Sequence, residues 1–228
     1  MLFRSTLEAA AAELRREYGA EVHIAAIDLT SANALQQVQT ALDVHQLYAD
    51  ILVNNAGFGL GGVFAAQDPG RIADLCRLNI ETLTALTRAF LPAMLQRASG
   101  GVLNVGSIGG LFPGPSQAAY YASKAYVLSF TEALAEECAG SGVRISAAAP
   151  GPVATRFHER MGAAGAFYLQ LQQVMTPDRV ARIIYSGFIG RRTVIVPGLI
   201  TSLNSFAVRY IPHVILVPFI GWFLKRRY

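Results

Sequence analysis

Patterns typical of strands and helices alternate along almost the whole of this 228-residue chain. Apolar runs predict strands at 21–28, 50–56, 101–105, 143–149 and 193–196. The longer stretches between them predict helices. Consecutive parallel strands need a crossover of a dozen or more residues, which a helix usually provides. The sequence therefore predicts an α/β fold in which helices cover a doubly wound parallel sheet.

Composition limits the classes of function. The chain is 53% hydrophobic and 15% charged, so we expect a packed core rather than disorder. The net charge is +4, but the basic residues are not gathered into one stripe, and we expect no nucleic-acid binding. The two cysteines, Cys76 and Cys138, give no metal-ligand spacing and suit a reducing cytoplasm. We expect a cytoplasmic protein without a metal site.

The last thirty residues differ from the rest, and we divide the chain into a domain at 1–198 and a tail at 199–228. The tail is apolar and ends in Lys225-Arg226-Arg227-Tyr228, but Arg209 and two prolines interrupt it. Three interpretations stay open. Residues 200–228 cross a membrane, lie on a membrane surface as an amphipathic element, or form a helix that covers the substrate or a partner subunit.

One tyrosine and one lysine carry the chemistry that the sequence indicates most clearly. Tyr120 and Lys124 are four residues apart in a predicted helix, so both side chains lie on one face. An ammonium group near a phenol favours the phenolate and lowers the pKa of the tyrosine. Such a tyrosine can exchange a proton with the oxygen of a carbonyl or alcohol.

Other polar residues follow predicted strands. Ser107 comes after the strand at 101–105 and can hydrogen-bond a substrate oxygen, while Asn79 stands in a predicted helix where asparagine has poor propensity. Asn55-Ala56-Gly57 and Pro150-Gly151 each end a strand. In parallel sheets, ligands bind beyond the carboxyl ends of the strands, so we expect these segments to border one site.

In their order and spacing, these residues resemble the short-chain dehydrogenase/reductase family. The resemblance rests on Asn54-Asn55-Ala56-Gly57, Asn79, Ser107, Tyr120-x-x-x-Lys124 and Pro150-Gly151, and it covers about residues 5–198. It implies a Rossmann-like sheet and reversible hydride transfer between NAD(P)H and a carbonyl or secondary alcohol. The apolar loop at 112–115 and the apolar tail favour an apolar substrate.

The resemblance also implies roles for single residues. Tyr120 would be the general acid/base, Lys124 would lower its pKa and hold the nicotinamide ribose, and Ser107 would stabilise the substrate oxygen. Asn79 would anchor a water molecule in a proton relay. The residues implied to bind the cofactor are Asp28, Leu29, Asn55, Ala56, Gly57, Tyr120, Lys124, Pro150, Gly151, Val153 and Thr155. Arg4 matches a position that commonly receives a 2′-phosphate, which favours NADP(H) over NAD(H).

The chain departs from the family at its beginning. It lacks the first strand, the glycine-rich turn and the first helix that the family carries. Gly57–Gly62 fits G-x-G-x-x-G, but no predicted helix follows directly, so we do not interpret it as the phosphate loop. The open explanations are a start codon assigned too far downstream, which we favour, a short variant, or a decayed gene.

Two classes of function follow. We expect an oxidoreductase that assembles as a homo-oligomer through the helices predicted at 69–96 and 117–139. The alternative is a catalytically inactive remnant that serves as a dimer partner or associates with a membrane through 200–228. A regulator that binds nucleotide without turnover is a third interpretation.

Overall fold

A computed structural model describes residues 2–162, 174–208 and 210–225. The chain forms two compact units, Met1–Tyr48 and Ala49–Tyr228. The first unit contains helices α1 (Leu2–Tyr18) and α2 (Ala34–Val44). Helix α1 ends at Gly19, whose φ of +61° lies in the left-handed region that closes helices.

The strand predicted at 21–28 is wrong, because these residues form no regular secondary structure. A strand is stable only beside another strand that pairs with its backbone groups. None of residues 2–48 forms a strand, so the extended pattern at 21–28 has no partner within its own unit.

The second unit holds the remaining elements. In chain order they are β1 (Ile51–Asn54), α3 (Pro69–Cys76), a π-helical segment (Arg77–Thr82), α4 (Leu83–Arg97), β2 (Gly101–Val105), α5 (Ala118–Glu137), β3 (Arg144–Ala148), α6 (Phe157–Arg160), α7 (Pro177–Ile189), β4 (Val194–Ile195), α8 (Leu199–Val208) and α9 (His213–Lys225). The strands predicted from 50–56 onward are all present, with ends shifted by at most two residues. The single helix predicted at 69–96 is instead divided by the π-helical segment.

The four strands form one parallel sheet in the order β1-β2-β3-β4. Asn54 pairs with Asn104 across β1 and β2, and Asn104 pairs with Ala147 across β2 and β3. Parallel strands in this order place their carboxyl ends, and the loops that follow them, along one edge of the sheet. This edge carries the residues that the sequence singles out.

Helices cover both faces of the sheet, as the predicted α/β Rossmann-like fold requires. Neighbouring residues in a strand point to opposite faces. Val102 packs in a cluster with Leu91 and Met94 of α4, whereas Leu103 packs in a cluster with residues of α7. The sheet is therefore enclosed between two helical layers.

The tail predicted at 199–228 forms two helices within the second unit, α8 and α9. Leu216, Ile220 and Leu224 of α9 join the buried cluster around Tyr120. Among the described residues, no helix combines the length and the apolar character needed to span a bilayer. The division of the chain at residue 198 stays a prediction.

Candidate active site

A cavity of about 520 Å³ opens at the carboxyl edge of the sheet. It is bordered by the loops after β1, β2 and β3 and by residues of α5, α7 and α9. The cavity is lined by these residues of the predicted site: Asn55, Gly57, Ser107, Tyr120, Lys124, Pro150, Gly151, Val153 and Thr155. The fold thus brings together segments that are as much as 100 residues apart in the sequence.

Tyr120 and Lys124 lie one turn apart on the face of α5 that meets the cavity. Both are buried, with exposed fractions of 8% and 6%. The Lys124 Nζ donates a hydrogen bond to the carbonyl of Val105, the last residue of β2, at 2.8 Å. The same nitrogen lies 5.9 Å from the centroid of the Tyr120 ring. This hydrogen bond ties α5 to β2 and fixes the ammonium group beside the phenol.

Burial sets the proton affinities of both groups. It raises the pKa of Tyr120 to about 12, and a hydrogen bond with Ser107 offsets only part of this rise. It lowers the pKa of Lys124 to about 8, because a buried ammonium loses its hydration. The sequence predicted a lowered pKa for Tyr120, and the structure gives the opposite direction. At neutral pH the phenol therefore holds its proton and is suited to donate it.

Ser107 connects three parts of the site. Its Oγ accepts a hydrogen bond from the backbone N–H of Gly109 at 3.1 Å, which caps a short 3₁₀ turn at Ile108–Leu111. The same hydroxyl lies 3.5 Å from the carbonyl oxygen of Pro150 in the loop after β3, and it hydrogen-bonds Tyr120. A substrate oxygen at this place would meet two hydroxyl groups.

Asn79 lies in the π-helical segment, and its side chain is almost fully buried, with 1% exposed. Its Nδ2 donates to the carbonyl of Phe58 at 3.0 Å and to the Oγ of Ser123 at 3.0 Å, while its Oδ1 accepts from the N–H of Phe58 at 3.2 Å. Asn79 therefore links the loop after β1 to α5 through these hydrogen bonds. Its predicted role in a water relay stays a prediction.

Sequence reasoning missed Ser123. This buried side chain donates to the carbonyl of Tyr120 at 2.7 Å and accepts from Asn79, so it links Asn79 to the turn of α5 that carries Tyr120 and Lys124. Its place within Tyr120-x-x-x-Lys124, one residue before Lys124, was the available signal. Gln117 was missed as well, although it lines the cavity and is only 1% exposed.

Apolar side chains form much of the cavity wall. The sequence predicted walls from the loop at 112–115 and from the tail, and Phe112 and three residues of α9 do line the cavity. Further apolar residues line it that sequence reasoning did not assign to the site, among them Phe157, Met161, Val180 and Ile184. Among the described residues, no cluster of histidine, cysteine or carboxylate side chains is placed to hold a metal ion.

The donors around the cavity fit the nicotinamide half of a dinucleotide. The Lys124 ammonium carries three donors, of which the carbonyl of Val105 takes one. Gly57 has no side chain that could fill the space beside Asn79 and Lys124. A Cβ at this position would lie 3.0 Å from Asn79 Oδ1 and 3.5 Å from Lys124 Nζ. Exposed backbone groups and hydroxyl groups such as that of Thr155 can form hydrogen bonds with a ribose and a carboxamide. These residues would hold the nicotinamide end.

The glycines at 57–62 do not form a phosphate loop. A Cβ at Gly59 would overlap the sulfur of Met161, and the N–H of Gly61 donates to the Met161 carbonyl at 3.1 Å. A 3₁₀ turn at Phe64–Ala66 follows them, and α3 begins only at Pro69. These glycines therefore do not lead into a helix N-terminus, and Gly59 allows close packing against Met161.

Four further residues were predicted to bind the cofactor. Asp28 and Leu29 belong to the first unit, where the Asp28 carboxylate accepts from the N–H and hydroxyl of Thr30 at 2.9 and 2.7 Å. These bonds lower the pKa of Asp28. Arg4 is exposed on α1, and Ala56 does not line the cavity. Their part in cofactor binding stays a prediction.

Comparison with known proteins points to one family. A family model described as short chain dehydrogenase matches residues 3–164. The NADP-dependent 3-hydroxy acid dehydrogenase YdfG of Escherichia coli strain K12 is 31% identical over 185 residues, covering 76% of this chain and 72% of that protein. A 3-oxoacyl-[acyl-carrier-protein] reductase of Synechocystis is 31% identical over 178 residues, covering 78% and 72%.

A solved structure agrees with these relatives. The short-chain dehydrogenase from Sphingobium yanoikuyae in complex with NADPH superposes with a TM-score of 0.79 at 29% identity, covering 98% of this chain and 85% of that one. The likeness extends over nearly the whole chain, including the residues around the cavity.

Proposed function

Because this chain belongs to the short-chain dehydrogenase family and is an NAD(P)-dependent oxidoreductase, we propose that Tyr120 is its general acid/base. The reaction is reversible hydride transfer between the cofactor and a carbonyl or secondary alcohol of an apolar substrate. The observation that carries the proposal is the Tyr120 phenol, held at the cavity by Ser107 and placed beside the Lys124 ammonium.

In the direction of reduction, the phenol acts as an acid. When bound, the nicotinamide supplies the hydride that adds to the carbonyl carbon. The Tyr120 hydroxyl gives its proton to the carbonyl oxygen, and the Ser107 hydroxyl hydrogen-bonds the same oxygen and holds it in place. The phenolate that remains is stabilised by the Lys124 ammonium 5.9 Å from the ring centroid.

We propose NADP(H) as the preferred cofactor. YdfG is named NADP-dependent, and the structure from Sphingobium yanoikuyae holds NADPH. Arg4 is the residue of this chain that would receive the 2′-phosphate. Calorimetric titration of the 228-residue chain with NADPH and NADH tests the preference. A dissociation constant for NADPH no lower than that for NADH would contradict it.

The apolar wall supports an apolar substrate. Phe112, Ile220 and Leu224 line the cavity, and a polar substrate would leave its hydrogen-bonding groups unpaired against them. The related 3-oxoacyl-[acyl-carrier-protein] reductase acts, by its name, on an acyl chain with a ketone. Medium-chain and aromatic ketones are therefore the substrates to screen first.

Turnover in a matched pair of variants tests the mechanism. Tyr120→Phe removes the proton donor and keeps the ring, so we expect the rate of NADPH oxidation with a ketone to fall about 100-fold or more. Tyr126→Phe is the control, because Tyr126 is an exposed tyrosine on α5 that hydrogen-bonds Thr84 and lies outside the cavity. Equal rates in both variants would refute Tyr120 as the acid. Absence of turnover in the unmodified chain would favour the inactive dimer partner.

We also propose that two copies associate through α4 and α5 and that the protein works in a reducing cytoplasm. The exposed side of α5 presents Ala118, Ala122, Ala125 and Ser129 at helical spacing, which permits close approach of a second helix. Sedimentation equilibrium tests the assembly, and a monomer at micromolar concentration would refute it.

Cys76 and Cys138 are both free thiols, which supports the proposal of a reducing cytoplasm.

A further inference from the structure

Helix α9 has two apolar faces, of which only one packs on the protein. Leu216, Ile220 and Leu224 recur at every fourth position and are buried against the cluster around Tyr120. The opposite face carries Val214, Ile215, Phe219 and Trp222, and these four side chains are between 53% and 80% exposed. When a helix is apolar on all sides, its exposed face is also expected to contact an apolar surface.

Helix α8 and the turn after it add further exposed apolar side chains. Those with more than 60% of their surface exposed are Leu199, Ile200, Leu203, Phe206 and Tyr210. Together with Val214, Ile215, Phe219 and Trp222 they are called the apolar patch below. Scattered exposed apolar residues are common, but nine within 24 residues indicate a surface that binds something apolar.

The charge of this part of the sequence indicates the kind of partner. None of the 15 acidic residues follows Asp178, whereas eight of the 19 basic residues do. These eight are Arg179, Arg182, Arg191, Arg192, Arg209, Lys225, Arg226 and Arg227. Such a segment attracts an anionic surface and repels a second copy of itself. The charge therefore favours anionic lipid over a second copy of the chain.

We infer that α8 and α9 dock the protein on an anionic lipid surface, with the apolar patch in the boundary between headgroups and acyl chains. This mode needs an apolar helix face together with basic residues that contact the headgroups. The buried side of α9 lines the cavity through Ile220, Phe223 and Leu224. One helix would then contact the lipid with one face and an apolar substrate with the other.

The docking does not rest on the proposed reaction, so the two are tested separately. Trp222 is the only tryptophan in the chain and is 53% exposed, which makes it a reporter within the patch. The full chain is titrated with vesicles of phosphatidylcholine containing 30% phosphatidylglycerol, and with phosphatidylcholine alone. We expect a blue shift, quenching by brominated acyl chains, and at least about tenfold weaker partition into the uncharged vesicles, since several basic residues contribute.

A pair of variants locates the contact. Leu203→Glu with Val214→Glu places two charges in the patch, and we expect the partition coefficient to fall at least about tenfold. Tyr185→Glu is the control on α7, where Tyr185 is 65% exposed and lies outside the patch. The control should bind vesicles like the unmodified chain. Circular dichroism confirms the fold of each variant, and both should keep the turnover of a water-soluble ketone.

The inference fails if anionic vesicles neither shift nor quench the fluorescence of Trp222 in the unmodified chain. It also fails if binding occurs without quenching, because the patch would then stay in water. A blue shift that depends on protein concentration without lipid would assign the patch to a second copy and would overturn the inference. If the unmodified chain binds anionic vesicles but does not turn over any ketone, the proposed reaction is refuted and the lipid docking is not.

Discussion

The buried side chain of Asn79 connects two segments of the candidate site. Asn79 forms hydrogen bonds with both backbone groups of Phe58 and with the hydroxyl of Ser123. This arrangement holds the loop after β1 against the turn of α5 that carries Tyr120 and Lys124. The position of this turn therefore depends on a buried amide as well as on the helix itself.

We predict that Asn79→Ala lowers the free energy of unfolding by about 1–3 kcal/mol, because buried backbone groups of Phe58 lose their partner. Ser123→Ala should cost less, since it removes one acceptor of Asn79 and a bond to a helix carbonyl. Urea denaturation of both variants and of the double variant measures the coupling, which we expect to be about 1 kcal/mol. Additive effects would show that the two side chains act independently.

Individual site residues were predictable where a chemical pattern marked them. Tyr120 and Lys124 have the helical spacing, and Ser107 and Pro150 follow strands, so the edge of the sheet brings them together. The pKa of Tyr120 was not predictable, since it depends on how deeply the ring is buried and on the hydrogen bond with Ser107. Only its place directly before Lys124 marks Ser123 in the sequence, because its contact with Asn79 arises only in the folded chain.

At the element scale, buried amides connect the sheet to the helices. Asn54 of β1 donates to Asn104 of β2 at 2.8 Å and to Thr87 of α4 at 3.1 Å. Asn104 donates in turn to Thr131 of α5 at 2.9 Å. The four buried side chains link two strands with two helices, and in such a buried region hydrogen bonds are strong and unpaired groups are costly.

We predict that Asn104→Ala destabilises the protein by about 2–4 kcal/mol, because Asn54 loses an acceptor and a small cavity opens. The melting temperature and the midpoint of urea denaturation measure the effect. Asn204→Ala on α8 is the control, since Asn204 is exposed and should change stability by less than about 0.5 kcal/mol. A similar small effect of Asn104→Ala would show that the network contributes little.

Strands were predictable where an apolar run lies beside other strands with which it can pair. The strand predicted at 101–105 forms with the same bounds, because β1 and β3 pair with it on both sides. The apolar pattern at 21–28 does not form a strand, since local pattern cannot report whether a neighbour exists. The π-helical segment at 77–82 was also not predictable, because π-helix is rare and occurs as single turns within α-helices.

At the scale of the whole molecule, two buried titratable groups couple the site to global stability. Lys124 has its pKa lowered from 10.5 to about 8, and Tyr120 has its pKa raised from 10 to about 12. Stability rises with pH wherever the unfolded chain binds more protons than the folded one. The two groups therefore act in opposite directions and in different ranges of pH.

Between about pH 8 and 10.5 the unfolded chain keeps the proton on Lys124 and the folded chain has released it, so the contribution of Lys124 to stability rises with pH. Between about pH 10 and 12 the folded chain alone keeps the proton on Tyr120, so that contribution falls. We predict that Lys124→Met, which removes the charge and keeps much of the volume, abolishes the rise. The difference should reach at most about 3 kcal/mol.

Urea denaturation from pH 7 to 12 in half-unit steps measures both effects. Lys124→Met should be more stable than the unmodified chain near pH 7, and its advantage should shrink as the pH approaches 10, where the lysine enters the fold uncharged. Tyr120→Phe should keep the rise and lose only the fall above pH 10. Parallel curves for Lys124→Met and the unmodified chain would mean that Lys124 keeps an ordinary pKa. The ammonium would then be hydrated in the site, and the electrostatic role proposed for it beside Tyr120 would lose its main physical support.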